Sequence, residues 1–583
     1  MPNPINEEFN NVNKLIEKGK REEALEIVKK FAWRAWNLNN QGDNDKALNI
    51  ALSCEKILTQ IGSQSHVANN YAQIGWFYRD KDKRKAMEFA KKSLKIHEKL
   101  GNQRGIAECL SLQGHLVGDQ GSYDEALELI NQSLSIKEIS PLVKLQNLSN
   151  MASGNVVRGE LSEALKYCEK GIEFAIEYNL IGFCPYLLYS KGIAYFMKGD
   201  YEKAENCEKK SLILAEKLDL QSPLRGIIIL VLIWLQLSKN LDNIAKEYLS
   251  TLKKLAYQKE DKDFEYIVLT AEGLILQKSN RLQDRAKAEK YLKKVVESES
   301  IDTGFSRLFI NPFALYFLCD FLIEELGRFN DIRIIDDLNT YISRLDDLGE
   351  KHNLHLIHTE AKIFRARLAL IQLNLGEARN LLTQAQQMAE THNLQYFAQI
   401  ISNNHDRLLE QQELLEQLKR RNAPISERLE YASFDSVLAR LKGKYSTESS
   451  ELINELPVLL LIISKGGTLI FSKSYSDKLT VDSDLISSFL SAFESFGDEL
   501  FSERLDRIKY GDNTILIKPL ENFSVCYLFK GQSYPALQKL TRFTEAIREN
   551  SEIWQVLNKS VETSEMLETN KVPAIKSVID EIF

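Results

Sequence analysis

An alanine recurs about every forty residues along the first half of this chain. Each time it follows one or two turn-forming residues and a pair of acidic or polar residues. The phrase is clearest in Gly121-Ser-Tyr-Asp-Glu-Ala126-Leu and Gly199-Asp-Tyr-Glu-Lys-Ala204-Glu. A unit of this length is too short to bury its own apolar face, so the spacing predicts a stacked array rather than one large core. Successive alanines are 39, 40, 38, 40, 41 and 43 residues apart, at Ala47, Ala86, Ala126, Ala164, Ala204, Ala245 and Ala288.

A second small residue precedes most of these alanines by eleven or twelve positions. Two antiparallel helices joined by a short turn pack closely only where each presents a small side chain to the other. Apolar residues at helical spacing, such as Leu127, Ile130 and Leu134, would bury one face of each helix. Each repeat is thus predicted to be a helical hairpin. The small residues are Ala35, Gly75, Gly114, Ala152 and Gly192.

The small residue, the tyrosine three positions before the alanine (Tyr123 and Tyr201) and the alanine itself resemble the tetratricopeptide (TPR) repeat. The spacing is longer than the usual value of about 34 residues. The resemblance implies an α-helical TPR-type solenoid, an αα superhelix, over residues 1–395, with about nine hairpins. The pattern weakens after residue 245. A last alanine, Ala378, leaves room for one degenerate repeat around Phe317 to Leu345.

Solenoids of this kind line their concave side with the first helix of each hairpin, and partners usually dock there. Aromatic and arginine side chains are common anchors of protein interfaces. We therefore predict a groove that binds a protein or peptide segment, with packing of the aromatic rings between repeats as the alternative. The spacing places these side chains inward: Trp36, Asn69, Trp76, Arg79, His115, Tyr186, Tyr189 and Phe196.

The stretch 396–449 is a polar helical segment that Pro424 interrupts. We predict that it caps the last apolar face of the array, with a short coiled coil as the alternative. The pattern then changes to that of a small α+β domain over residues 450–560, with the order ββαβββα and helices on one side of an antiparallel sheet. Its predicted elements are strands at Leu456–Ile463, Thr468–Ser472, Arg504–Lys509, Asn513–Pro519 and Phe523–Lys530, a helix at Leu485–Phe501, and a helix that Ser533 caps.

That order, together with Gly466-Gly467-Thr468 and the stretch Phe529–Tyr534, resembles the longin/roadblock group of small domains. The resemblance implies docking on a small GTPase or on a second copy, and it implies no catalytic residues. An α+β sensor domain of another lineage stays open. Residues 561–583 end in an amphipathic helix predicted to dock on this domain or on a partner, with an apolar stripe of Ile575, Val578, Ile579, Ile582 and Phe583.

Composition excludes several classes of function. A net charge of −7 disfavours binding of nucleic acid, which needs clustered Lys and Arg. The longest apolar run, Gly226–Leu237, is shorter than the roughly 20 residues of a membrane-spanning helix, so no membrane insertion is expected. The 7 cysteines are dispersed and include no CxxC pair, and the N-terminal residues lack the pattern of a signal peptide. Both observations favour reduced thiols in the cytoplasm.

Catalytic and metal-binding motifs give little support to an enzyme. The chain has no phosphate loop, dinucleotide fingerprint, zinc-protease helix or hydrolase elbow, so neither catalysis nor a cofactor is expected. His352, His355 and His358 could share a cation if they lay on one helix, but without an acidic or thiol ligand a packed or solvated histidine ladder is favoured. No pair of carboxylates stands out in an apolar surround that would shift its pKa.

These patterns together predict a non-catalytic cytoplasmic scaffold or adaptor. Its groove would bind a protein segment, and its C-terminal domain would, as the longin/roadblock resemblance implies, engage a small GTPase or form a homodimer. The alternative is a peptide- or ligand-sensing TPR regulator of signalling or transcription.

Overall fold

A computed structural model describes residues 4–40, 43–79, 81–120, 122–220, 223–257, 262–298, 310–392, 394–432, 455–465, 468–475, 507–567 and 573–583. Contacts divide the chain into two compact units, each considered separately below. The first unit comprises 1–321 and 343–358, and the second comprises 322–342 and 359–583.

The first unit is built of helices that follow one another through short turns. The first helix stands before the repeats, and the helices that follow it form hairpins in which two consecutive helices pack on each other. Their bounds are α1 (Pro4–Glu17), α2 (Arg21–Asn40), α3 (Asn44–Ile61), α4 (Gln64–Tyr78), α5 (Lys83–Leu100), α6 (Gln103–Gly118), α7 (Tyr123–Ser135), α8 (Pro141–Arg158), α9 (Leu161–Glu177), α10 (Cys184–Met197), α11 (Tyr201–Lys217), α12 (Leu224–Ser238), α13 (Asp242–Tyr257), α14 (Lys262–Leu276) and α15 (Leu282–Val296). Three further helices, α16 (Asn311–Phe329), α17 (Arg333–Lys351) and α18 (His355–Ile371), contain the boundaries between the units.

Small residues close these hairpins, as the spacing predicts. Every repeat alanine from Ala47 to Ala378 is buried. At Gly114 a Cβ atom would lie 2.8 Å from Ile130 Cγ1 and 3.1 Å from the carbonyl oxygen of Ala126, so α6 and α7 meet where only glycine fits. The prediction of helical hairpins is therefore confirmed.

A serine on the second helix secures three of the hairpins through a buried hydrogen bond. Seven residues after the repeat alanine, its hydroxyl donates to a carbonyl oxygen of the first helix, which the spacing of alanines alone does not predict. The bonds are Ser93 to Ala68, Ser133 to Ala107 and Ser211 to Pro185, each 2.7 Å long. Each satisfies a buried polar group and ties the two helices at a fixed position.

The degenerate part of the array keeps the hairpin plan with altered spacing. Gly273 on α14 takes the place of the small residue against α15, because a Cβ there would lie 3.0 Å from Leu292. It precedes Ala288 by fifteen residues rather than twelve, and the sequence pattern misses it. The helices α16 and α17 lie where a degenerate repeat is predicted.

In the second unit, α19 (Leu375–Thr391) packs on α20 (Gln395–Glu410), and α21 (Gln412–Arg420) and α22 (Ile425–Tyr431) follow. Pro424 precedes the first residue of α22, so the predicted interruption is confirmed. One side of α20 packs on α19, and α20 also contacts the C-terminal domain. This arrangement fits the predicted cap, and α20 does not pair as a coiled coil within the described residues.

The C-terminal domain contains an antiparallel sheet of five strands in the order β2-β1-β5-β4-β3. One face packs against the helices α23 (Ser533–Glu549), α24 (Ser551–Thr563) and α25 (Pro573–Ile582), and the other face carries a second apolar cluster around Leu461 and Cys526. The predicted helix over Leu485–Phe501 and the Gly466-Gly467 turn lie outside the described residues. The strands are β1 (Leu456–Ser464), β2 (Leu469–Ser474), β3 (Arg507–Tyr510), β4 (Asn513–Pro519) and β5 (Phe523–Lys530).

A polar contact joins this domain to α20. The fully buried Arg507 side chain of β3 donates to Gln386 at 2.6 Å and lies 3.3 Å from Asp406. The same Asp406 carboxylate accepts from the backbone N–H of Ser533 at 3.0 Å and from its hydroxyl. The prediction that Ser533 caps α23 is therefore wrong: Ser533 is the first helical residue, and Asp406 satisfies its N–H from outside the helix.

The tail helix α25 docks on its own domain. Ile575 and Ile579 are buried, and the Phe583 ring lies 4.8 Å from that of Tyr527 and 5.6 Å from that of Phe543. The predicted docking of this amphipathic helix on the C-terminal domain is thus confirmed.

Candidate functional site

First helices of neighbouring hairpins lie side by side in the first unit. The Gln73 side chain of α4 donates to the carbonyl oxygen of Ala32 on α2 at 2.7 Å. A Cβ at Gly75 of α4 would lie 3.0 Å from Leu112 of α6. The predicted inward positions on α2, α4 and α6 therefore form one continuous surface, called here the inner face.

An aromatic and charged cluster occupies the middle of the inner face. The rings of Trp76 and His115 meet edge to face at 5.4 Å, and the Arg79 guanidinium lies 6.0 Å from the Trp76 ring. Arg79 also pairs with Asp119 at 3.7 Å, with both side chains about a third exposed. The pair joins α4 to the end of α6, and its exposure leaves it open to a partner's polar groups.

Two tryptophans of α2 extend this surface. Trp36 is 37% exposed, with its ring 6.1 Å from that of Phe77. Trp33, one helical turn earlier, is 70% exposed. Asn69 in the first half of α4 is exposed as well. The spacing predicts Trp36 and Asn69 but misses Trp33, although a tryptophan three residues before a predicted inward position is a usable signal on a helix.

Farther along, at α10, the predicted inward positions are mostly closed. Tyr186 is 36% exposed, whereas Tyr189 is buried and Phe196 is only 2% exposed. The prediction that Tyr189 and Phe196 line an open groove is therefore corrected. Burial, with the nearby Glu208 carboxyl, raises the pKa of the Tyr189 hydroxyl.

Packing between repeats accounts for the burial of Phe196. Its ring meets Trp234 of α12 at 4.7 Å, and Trp234 in turn meets Phe317 at 4.9 Å and Phe313 at 5.6 Å, both from α16. Side chains of α16 thus cover the inward surface of α12, whose residues from Leu224 to Leu237 are buried apart from Arg225. The inner face is open over α2, α4 and α6, with Tyr186 at its far end.

One carboxylic acid of the first unit stands in an apolar surround. Glu208 on α11 is fully buried, and neither of its carboxyl oxygens has a hydrogen-bond partner among the described residues. Burial raises its pKa well above the ordinary value of 4.5. The sequence gives no local signal for this group, because Glu208 is a single carboxyl and its apolar surround comes from tertiary packing.

The three histidines do not share one helix. His352 follows α17 in a turn where Asn353 has a positive φ, whereas His355 begins α18. His358 contacts Asp346 of α17 at 3.1 Å, so an acidic partner is present that the sequence analysis did not place nearby. Among the described residues, no three His, Cys, Asp or Glu side chains are grouped as metal ligands would be. No helix in the described ranges has the length and apolar character to span a membrane.

Comparisons with known proteins place this chain beside other helical proteins at low similarity. No protein-family model matches it. No curated protein matches it either. A Rap protein solved with competence and sporulation factor is 16% identical, covering 60% of this chain and 98% of its own, with a TM-score of 0.39. NprR with its cognate peptide NprX is 14% identical over 60% of this chain and 99% of its own, with a TM-score of 0.40.

Another solved structure, pilF from Pseudomonas aeruginosa, is 17% identical over 41% of this chain and 99% of its own, with a TM-score of 0.31. The array of helical hairpins stands on the contacts of its own residues.

Proposed function

We propose that this chain is a non-catalytic protein-interaction adaptor of the TPR type, and that its inner face binds an extended protein segment. The observation that supports this most directly is the exposure of Trp33 and Trp36 beside the Trp76–Arg79 cluster. Large aromatic side chains are normally buried, and neighbouring exposed ones mark interaction sites. Tryptophan and arginine are also the residues most enriched among energetic anchors of interfaces.

The chemistry of the inner face suits a peptide backbone with apolar side chains. The indole rings offer flat surfaces for stacking, and Asn69 offers an amide that can both donate and accept. The Arg79–Asp119 pair presents one charge of each sign, so the surface does not select strongly for a charged partner. An extended segment can engage all of these groups at once.

The test is selection of peptides from a phage-displayed random library on the full chain, followed by calorimetric titration of the selected peptides. We expect the double variant Trp36→Ala/Arg79→Ala to weaken binding by at least about tenfold, since each anchor contributes on the order of 1–2 kcal/mol. Trp36 is 37% exposed and the Arg79 side chain is about a third exposed, so the variant should melt as the parent does.

A matched control is the double variant Lys91→Ala/Lys95→Ala, which removes exposed side chains from α5, a second helix. This control should bind the selected peptides as the parent does. Equal affinity of the Trp36→Ala/Arg79→Ala variant and the parent would contradict the proposal.

The same surface would also suit a peptide-sensing regulator, which is the alternative function. In that case binding would change the rest of the chain rather than hold a partner in place. Thermal-shift screening with peptides and metabolites separates the two, because a sensor should show a large shift with one small ligand.

For the C-terminal domain we propose a longin/roadblock-like module that docks on a small GTPase or on a second copy. Five antiparallel strands followed by a helix support this, since the resemblance implies such a domain. Backbone groups of both outer strands already have partners: the Arg507 carbonyl oxygen of β3 accepts from Arg379 at 3.2 Å, and the Ile470 carbonyl oxygen of β2 accepts from the N–H of Leu567 at 2.7 Å. A second copy would therefore dock through helices rather than by strand addition.

Pull-down with GDP- and GTP-loaded small GTPases, and light scattering for the oligomeric state, test this module. If the protein binds neither nucleotide form and has a monomeric mass, this proposal for the C-terminal domain is contradicted. We also propose that the protein acts in the cytoplasm, since its seven cysteines are buried thiols dispersed along the chain.

A further inference from the structure

Glu208 stands at a position where the preceding hairpins carry apolar side chains. It lies four residues after the repeat alanine, facing the first helix of its own hairpin. The residues in the same place are Ala51, Ala90, Ile130 and Cys168, and all are buried as Glu208 is. A carboxyl group has thus replaced a hydrocarbon or thiol at the contact that closes the hairpin α10–α11.

Gly192 makes the space for this carboxyl group. A Cβ atom at Gly192 would lie 2.4 Å from Glu208 Oε1 and 2.9 Å from its carboxyl carbon. The head group therefore presses directly on the backbone of α10. Because neither oxygen has a hydrogen-bond partner in the described part of the chain, an ionised carboxylate here would be both desolvated and unpaired.

No cation from α10 or from α11 itself is committed to Glu208. On α10 the neighbouring titratable group is the Tyr189 hydroxyl, and Lys191 donates instead to Glu169 at 2.9 Å. On α11, Cys207 is adjacent, and the Lys209 ammonium pairs with Glu205 at 2.6 Å.

The remaining packed element, α12, contains a single ionisable residue. This is Arg225, and its guanidinium lies 3.7 Å from Glu216 near the end of α11. The carboxyl of Glu208 is therefore surrounded by apolar atoms, a phenol and committed cations. This environment therefore favours the neutral, protonated form of the Glu208 carboxyl group.

We propose that Glu208 is a proton-controlled contact: the neutral carboxyl holds α10 against α11, and loss of its proton opens this hairpin. An ionised carboxylate needs water, and water can reach it only if the two helices separate. The hairpin α10–α11 is then the part of the array whose closure responds to pH. This proposal does not depend on what the inner face binds.

The direction of the effect follows from linkage. At pH values above 4.5, the ordinary pKa of a glutamate, the closed hairpin keeps the Glu208 carboxyl protonated, whereas in the opened hairpin the carboxyl releases its proton. The opening equilibrium should therefore rise with pH, by as much as about tenfold per pH unit, until the folded carboxyl ionises. Below the ordinary value both states are protonated and the effect disappears.

The test is hydrogen exchange of the full chain between about pH 5 and pH 8, read by mass spectrometry and corrected for the intrinsic pH dependence of exchange. We expect amides of α10 and α11 in the parent protein to open more readily as pH rises. In Glu208→Gln, which cannot ionise, that dependence should vanish. The matched control Glu202→Gln, an exposed glutamate of the same helix, should behave as the parent does.

Equal pH dependence in the parent and in Glu208→Gln would overturn the proposal. If the glutamine variant fails to fold, Glu208→Ile provides the second variant, because Ile130 occupies the same place in an earlier hairpin. A residual pH dependence of α10 and α11 in Glu208→Ile would likewise overturn it.

Discussion

The closure of hairpins through small residues can be tested most sharply at Gly114 on α6. The structure leaves no room for a side chain there, because a Cβ would lie 2.8 Å from Ile130 Cγ1 and 3.1 Å from the Ala126 carbonyl oxygen. The side chain can shift, but the carbonyl belongs to the backbone of α7. We therefore predict that Gly114→Val forces α6 and α7 apart.

The expected magnitude combines two opposing terms. Overpacking a buried contact typically costs about 1–3 kcal/mol, and a branched side chain with two further methyl groups falls toward the upper end. Replacing glycine in a helix interior recovers about 0.3–0.5 kcal/mol of helix propensity. The net loss should be about 2 kcal/mol, which corresponds to a roughly thirtyfold rise in the opening equilibrium.

Hydrogen exchange of amides in α6 and α7 measures this opening locally, which matters because a long array need not unfold in one step. The control is Gly118→Ala on the same helix, where the added Cβ would meet Ala126 Cβ at an ordinary 3.5 Å. That variant should stay within about 0.5 kcal/mol of the parent. Gly114→Val with parent-like protection would refute the idea that these glycines are required for packing.

Three further predictions concern the polar and apolar contacts that fasten each unit. Ser133→Ala should cost about 1–3 kcal/mol in α6 and α7, seen as faster exchange, because it removes the bond to the Ala107 carbonyl oxygen and leaves the buried Asn147 amide without its acceptor. Asp406→Ala should lower the thermal midpoint of the C-terminal domain by removing the acceptor that Arg507 and Ser533 share, at a cost of about 2–3 kcal/mol given its partial exposure. Deletion of residues 569–583 should expose the apolar surface under Phe583 and increase binding of a hydrophobic dye, and unchanged melting and dye binding would show that the tail helix contributes nothing.

The repeat spacing predicts the hairpins well because each repeat alanine lies at a helix–helix contact where only a small side chain fits. The same spacing cannot say which inward positions stay open. Trp36 and Phe196 both fit the inward pattern, yet one is exposed and the other is buried. Phe196 is covered by Trp234 of the next hairpin, and Phe313 and Phe317 of α16 pack on Trp234 from far along the chain. Contacts between distant segments leave no trace in a local pattern.

Two other features escape sequence analysis for related reasons. Gly273 takes the role of the small residue at an altered distance from its alanine, mainly because Ala288 lies six residues after the start of α15, whereas Ala86 lies three residues after the start of α5. Asp406 completes the start of α23 from a different part of the chain, so a capping rule applied to Ser533 alone selects the wrong residue. In both cases the local chemistry is recognisable, and the partner is set by tertiary packing.

The central claim is that hairpins stack so that the first helices of the early repeats form one open binding surface. Hydrogen exchange of the full chain, with and without a peptide selected on it, tests this directly. We predict slower exchange in α2, α4 and α6, with little change in α3, α5 and α7. Protection confined to the second helices, or to the C-terminal domain, would contradict the claim.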